Sequence, residues 1–224
     1  LRQRFTQAWQ RLGMAYQRLA MERRDAYRAL RPGWQQWLWG GHLRAEGDEL
    51  LGAAIASYQN AIAADPNNLK AVMQLASLHA EFGRYDLAIP NYRRALELDE
   101  KNEVARDQLA FALDMVGRHE EAVGYWQELI AEYPESPLAY RSLGVALARR
   151  AQWEAAIVMF QHAVNVDPQF VDGWHNLGMA QSETGDMRAA IASFEKALSI
   201  NPDYAPSRKA LASARSRVTT QPAE

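Results

Sequence analysis

Cysteine is absent from the sequence. That excludes disulfide scaffolds, thiolate zinc sites, iron–sulfur ligation and a cysteine nucleophile, and it fits a reducing compartment. No stretch approaches the roughly 18 consecutive apolar residues that a membrane span requires, and there is no signal-peptide pattern. Net charge is nearly absent: 25 basic and 27 acidic residues leave -2. This argues against a broadly basic nucleic-acid binder and a wholly acidic tail protein. The chain begins at Leu1 rather than methionine, which points to a processed or trimmed protein. The expected compartment is therefore the cytoplasm, or a membrane-associated site if an anchor preceded Leu1.

Catalytic signatures are missing too. The histidines His42, His79, His119, His162 and His175 contain no HExxH spacing and have no sulfur ligand to join them. Gly40-Gly41 is followed by no lysine–hydroxyl pair, so it is not a phosphate loop. No GxSxG occurs. Glu120-Glu121 reads as negative charge at a helix start, complementing the helix dipole. A non-enzymatic protein without metal or cofactor is expected.

What the 224 residues do contain is a hydrophobic share of 48%, sufficient for a core and for one or two domains, and a repeat. Pro134, Pro168 and Pro202 are each 34 residues apart, and Pro66 stands two periods before Pro134. Glu100 takes the intervening place. Alanine recurs at Ala54, Ala88, Ala122, Ala156 and Ala190, each followed four residues later by Tyr58, Tyr92, Trp126, Phe160 and Phe194. Leu75, Leu109, Leu143 and Leu177 keep the same register, beside Ala76, Ala110, Gly144 and Gly178; Gly41 and His42 are the exceptions. Spacings of three and four predict helices. Gly83, Gly117 and Gly185 fall where the first helix of a pair would exit.

Trp174-x2-Leu177-Gly178 with Ala190-x3-Phe194, Ala197 and Pro202 resembles the tetratricopeptide repeat. The resemblance covers 35–204 and implies an all-α, right-handed α-solenoid of antiparallel helix pairs. Five tandem units are expected at 35–68, 69–102, 103–136, 137–170 and 171–204. A capping helix and frayed tail would follow at 205–224.

Residues 1–34 are a basic helical segment, carrying +6 against -8 for the remainder. Trp9-x2-Leu12-Gly13-x2-Tyr16 resembles a repeat's first helix, but five residues out of register. Phe5, Trp9, Leu12, Tyr16 and Leu19 also form a heptad seam suited to one long helix. One helix and a degenerate repeat hairpin are both open readings. The seam could cap the first repeat, dock a partner or a second copy, or lie on an anionic membrane. The cluster Trp34, Trp37 and Trp39 at the junction reads as packing or as an aromatic contact surface.

By the resemblance, first helices line a concave groove that binds peptide segments of other proteins. Its expected residues are Trp39, Leu43, Met73, Gln74, Asp107, Gln108, Phe111, Arg141, Val145, His175, Asn176 and Met179. The apolar centre suits an apolar or amphipathic segment. The family's carboxylate clamp is incomplete: Arg141 and Asn176 match it loosely, whereas Val145 and Pro206 do not. A protein-binding scaffold is the main expectation. Self-association, or an assembly role beside a membrane through 1–30, is the alternative, and nucleic acid is disfavoured by the acidic repeats.

Overall fold

A computed structural model describes residues 2–29 and 34–220, with side chains over 3–29 and 41–218. The protein is an all-α solenoid. The described elements are α1 (Arg2–Ala29), α2 (Trp34–Ala64), α3 (Leu69–Glu81), α4 (Tyr85–Leu98), α5 (Glu103–Met115), α6 (His119–Glu132), α7 (Pro137–Arg149), α8 (Trp153–Val166), α9 (Val171–Glu183), α10 (Met187–Ile200) and α11 (Ala205–Thr220). The chain divides into two compact units, Leu1–Ala112 and Leu113–Glu224.

From Leu69 to Ile200 the chain alternates a 13-residue and a 14-residue helix. Two local devices set this rhythm. Within each pair the turn residue adopts a left-handed backbone: Gly83, Gly117 and Gly185, with φ of 72°, 83° and 87°. Arg84 N–H then bonds His79 carbonyl at 2.8 Å, and Arg118 N–H bonds Leu113 carbonyl at 2.9 Å, which closes the helix end. Ala151 takes the same role at φ 56° without glycine's freedom. Between pairs, an Asp or Asn side chain turns the backbone. Asp65, Asp167 and Asn201 accept from the backbone N–H two residues on, at 3.3, 2.8 and 3.1 Å. Asp99 keeps the corresponding turn without proline, accepting Asn102 N–H at its carbonyl at 3.1 Å. Asn68 and Asn102 then cap the next helices through Ala71 and Ala105 N–H, both at 2.9 Å.

The core sits between the paired helices. Ala88, Ala122, Ala156 and Ala190 are fully buried, as are Tyr92, Trp126, Phe160 and Phe194 four residues later. A Cβ added at Gly144 would lie 2.6 Å from the Phe160 ring, and one at Gly178 would lie 2.6 Å from Phe194. These glycines therefore set the closest helix approach.

The region before Leu69 differs from the expected helix pair at 35–68. α2 is one continuous helix from Trp34 to Ala64, and α1 is one continuous helix packed along it. The residue in register with Gly83 is Glu49, and it lies inside this helix. The repeat is nonetheless completed, by residues far apart in sequence. A Cβ at Gly13 would lie 2.7 Å from the Tyr58 ring, the same close approach as Gly144 on Phe160. Trp9, Leu12, Gly13 and Tyr16 hold first-helix places, while Ala54, Tyr58 and Ala61 hold second-helix places. Residues 6–18 and 51–64 thus form a split repeat. Residues 19–29 and 34–50 extend its two helices where the later pairs have a turn of three residues, such as 82–84. The five-residue offset in the sequence is the trace of that insertion, and Gly41 and His42 break the pattern because the true first helix lies upstream.

The face of α1 that packs against the fold is not the heptad seam. The buried side of α1 is Thr6, Gln10, Gly13 and Ala20, one residue round from the apolar seam. Small and amide side chains suit this contact. Tyr58 Oη donates to Gln17 Oε1 at 2.8 Å, and Gln10 Nε2 donates to Asn68 Oδ1 at 3.0 Å. Phe5, Leu12 and Leu19 stay exposed, while Trp9 and Tyr16 are half-buried.

Candidate partner-binding grooves

In the first unit, α1 and α3 border a cavity of about 640 Å³. Met14 and Met21 come from α1, and Met73 from α3. Around them stand Gln17, Arg18, Glu22 and Asp25 on one side and Lys70, Gln74 and Ser77 on the other. Gln74 Oε1 is buried and has no hydrogen-bond partner among the described residues. Such an acceptor costs free energy until a donor reaches it. Unbranched methionines let this floor adapt to varied apolar shapes.

Met73 and Gln74 are the expected groove residues that this cavity contains. Leu43 is not there: it lines a separate cavity of about 220 Å³ with Tyr27, Arg28 and Phe82. Its predicted place is taken by Met14, Gln17 and Met21 because the first helix of the split repeat is α1. Aligning Gly13 with Gly178 puts Met14 at the place that Met179 holds in α9. The side chains of Trp34, Trp37 and Trp39 lie outside the described residues. Asp107 is buried and accepts from Gln108 Nε2 at 3.4 Å. The half-buried Phe111 packs edge-on to Tyr85, ring centroids 5.9 Å apart, so part of its surface serves the fold.

In the second unit, His175 and Met179 join Ser182, Phe194, Pro206, Lys209 and Ala210 around a cavity of about 370 Å³ between α9 and α11. His175 Nδ1 lies 3.0 Å from Ser207 Oγ, and its ring centroid lies 5.8 Å from that of Phe194 and 5.5 Å from that of Tyr204. Burial lowers the His175 pKa below its ordinary value, against a smaller opposing pull from Asp172. Tyr204 Oη donates to Asp172 Oδ1 at 2.6 Å, and burial together with that carboxylate pushes the phenol up to about 12. Asn176 is half-buried, as is Arg141, whose Nε has no partner among the described residues. Val145 packs against the α8–α9 core cluster around Phe160 and Leu177, so it is a packing residue.

The second unit also holds a buried carboxylate that pattern reading passed over. Asp114 accepts His119 Nδ1 and Arg149 Nη1, both at 2.8 Å, and so ties α5, α6 and α7 together. Isolated charges in a repeat carry no spacing signal that would have revealed it.

Two family models of the tetratricopeptide repeat match this chain, over 171–204 and 108–159. A model of the bacterial transcriptional activator domain matches 6–131, more than half of the chain, and so begins at the split repeat's first helix. The chain belongs to the tetratricopeptide-repeat proteins and, over 6–131, to the bacterial transcriptional activator domain family. No curated protein matches the sequence. Among solved structures, the MamA protein is 26% identical, with a TM-score of 0.55 over 74% of this chain and 90% of its own. YrrB, described as a tetratricopeptide-repeat protein with an unusual peptide-binding site, is 22% identical, with a TM-score of 0.53 over 75% of this chain and 87% of its own. A tetratricopeptide-repeat protein of Thermus thermophilus is 17% identical and shares the fold at a TM-score of 0.63, over 77% of this chain and 94% of its own. As a tetratricopeptide-repeat protein, the chain is a protein-interaction scaffold. No helix among the described residues is long and apolar enough to cross a membrane.

Proposed function

We propose that the scaffold works by holding an apolar or amphipathic peptide segment of a partner protein, and that the first unit's cavity between α1 and α3 is its principal seat. The observation that carries this reading is the orphaned Gln74 Oε1 beside a methionine floor. A bound backbone N–H would satisfy the acceptor while apolar side chains cover Met14, Met21 and Met73. Glu22 and Asp25 balance Arg18 and Lys70 at the rim, so the seat suits a segment of mixed charge and not a phosphate backbone. YrrB's peptide-binding site lends the reading support by likeness of fold. Within the activator-domain family, such a seat would recruit a protein and not DNA. No step of this function calls on a catalytic group, a cofactor or a metal.

The test compares wild type with Met14→Glu/Met73→Glu as baits in native lysate, with mass spectrometry of the retained proteins. Two buried-edge charges should abolish retention of the specific partner while helical circular dichroism stays unchanged. Identical retention by a folded double variant would reject the seat.

A further inference from the structure

A face of α1 lies open where every later repeat is covered. In each first helix from α3 onward, the third, seventh and tenth places are buried: Ala71, Leu75 and Leu78 in α3, Gly173, Leu177 and Ala180 in α9. Their cover is the second helix of the preceding repeat. Leu75 and Leu78 cluster with Leu51, Ala54 and Tyr58 of α2, and Leu177 and Ala180 with Ala156 and Phe160 of α8. The same places in α1 are Ala8, Leu12 and Ala15, and all three are exposed. Leu12 is 39% exposed, against 5%, 0%, 6% and 2% at Leu75, Leu109, Leu143 and Leu177. Phe5 and Leu19, seven residues to either side of Leu12, extend the exposed stripe to 56% and 42%.

Over 4–18 the stripe is bordered by basic residues, and Glu22 and Asp25 follow on the same side beyond Arg18. Arg4, Arg11 and Arg18 repeat every seven residues and follow the stripe along one edge. All three are exposed, and none has a carboxylate partner among the described residues. At 100° per residue, this row separates the stripe from Met14 and Met21, so the open face and the cavity are different surfaces of α1. Arg18 borders both.

We propose that this face docks an acidic amphipathic helix of a partner protein, laid along α1 as the second helix of a preceding repeat would lie. Ala8 and Ala15 form a shallow trough between the Leu12 ridge and the arginine row, a shape that accepts a ridge of side chains from another helix. The occupant should present small and large apolar residues four apart, as Ala54 and Tyr58 do, with carboxylates every seven residues for the arginines. A second copy presenting this same face would bring the arginine row, and 4–18 hold no carboxylate to match it. A flat lipid surface would not fill the trough.

The probe is a stapled 21-residue helix carrying an Ala-x3-Phe-x2-Ala stripe and glutamates at seven-residue spacing. It is titrated against the full chain by fluorescence anisotropy. Saturable binding is expected, weakened about tenfold or more in Leu12→Lys and in Arg4→Glu/Arg11→Glu. A lysine-substituted probe should recover binding only to the arginine-reversed variant. All substituted side chains are exposed, and circular dichroism checks that the variants fold. Absence of binding, or binding indifferent to both variants, overturns the proposal. So does a dimer in sedimentation equilibrium that Leu12→Lys dissolves. Leu12-dependent binding to phosphatidylserine vesicles without probe binding overturns it in favour of a membrane.

Discussion

His175 shows how one side chain reports on a whole contact. Its ring stands between Phe194 and Tyr204, with Ser207 Oγ at 3.0 Å, so it couples α9 to α11. Burial favours the neutral imidazole and lowers its pKa. The unfolded chain therefore binds the proton more readily than the folded one below the ordinary value of 6.5. The contribution is complete above that pH and is lost as the pH falls through the folded pKa. Chemical denaturation from roughly pH 7 to pH 5 should show falling stability, with a shallower slope in His175→Gln. His79, lowered mainly by burial and secondarily by Arg84, will keep part of the slope. Unchanged slopes would remove His175 from the linkage. None of this was legible in the sequence: five histidines without ligand spacing excluded a metal reading, but burial of a ring against Ser207 is a property of packing.

At the scale of the element, the first repeat is instructive. Its two helices were both marked in the sequence, at Trp9-x2-Leu12-Gly13 and at Ala54-x3-Tyr58, yet they sit on opposite sides of a 19–50 extension. Periodicity assigned the second helix correctly and paired it with the wrong first helix, because a fixed 34-residue frame cannot absorb an insertion. Replacing 19–50 by the Phe-Gly-Arg tripeptide found at 82–84 should preserve cooperative unfolding and the packing of Gly13 on Tyr58. The melting temperature should still drop, since the extension brings Ala20 into the core, places Arg24 over the Phe82 ring at 5.0 Å, and lets Arg24 donate to Glu81 carbonyl at 2.8 Å. Calorimetry that shows no cooperative transition would mean that the extension is integral to the repeat. The packing face of α1 escaped pattern reading for a related reason. Hydrophobicity singled out Phe5, Leu12 and Leu19, whereas the buried contact needs the small and amide side chains of Thr6, Gln10, Gly13 and Gln17.

At the scale of the whole molecule, α11 and α1 differ in how they pack on the repeats beside them. α11 starts 34 residues after α9 and repeats its places: Ser207, Leu211 and Ala214 are buried, the latter two against Phe194 and Ala190. Its other side is wet, with Arg215 donating to Glu195 at 2.7 Å, as a capping helix requires. Ending the chain after Tyr204 would uncover Phe194 and Ala190. A loss of about 2–4 kcal/mol is expected, which lowers the melting temperature by roughly 4–16 °C in a chain of this size and raises dye binding by exposed apolar surface. A truncated chain that melts with wild type would deny α11 its capping role. By contrast, α1 leaves Leu12 and its neighbours open.

What the sequence by itself determined is whatever recurs: the 34-residue frame, the Ala-x3-aromatic core, the glycine and Asx turns, and membership of a scaffold fold. These rest on local sterics and helix periodicity, which act within a few residues of each position. Tertiary structure alone decided three things. Gly13 meets Tyr58 at a distance only a missing Cβ allows, so it, and not Gly41, completes the first repeat. Met14, Gln17 and Met21 border the candidate seat in place of Leu43, because that repeat's first helix is α1. Asp114 finds His119 and Arg149 across three helices. Each depends on contacts between residues distant in sequence, where periodicity carries no information and the close approach of side chains settles the outcome.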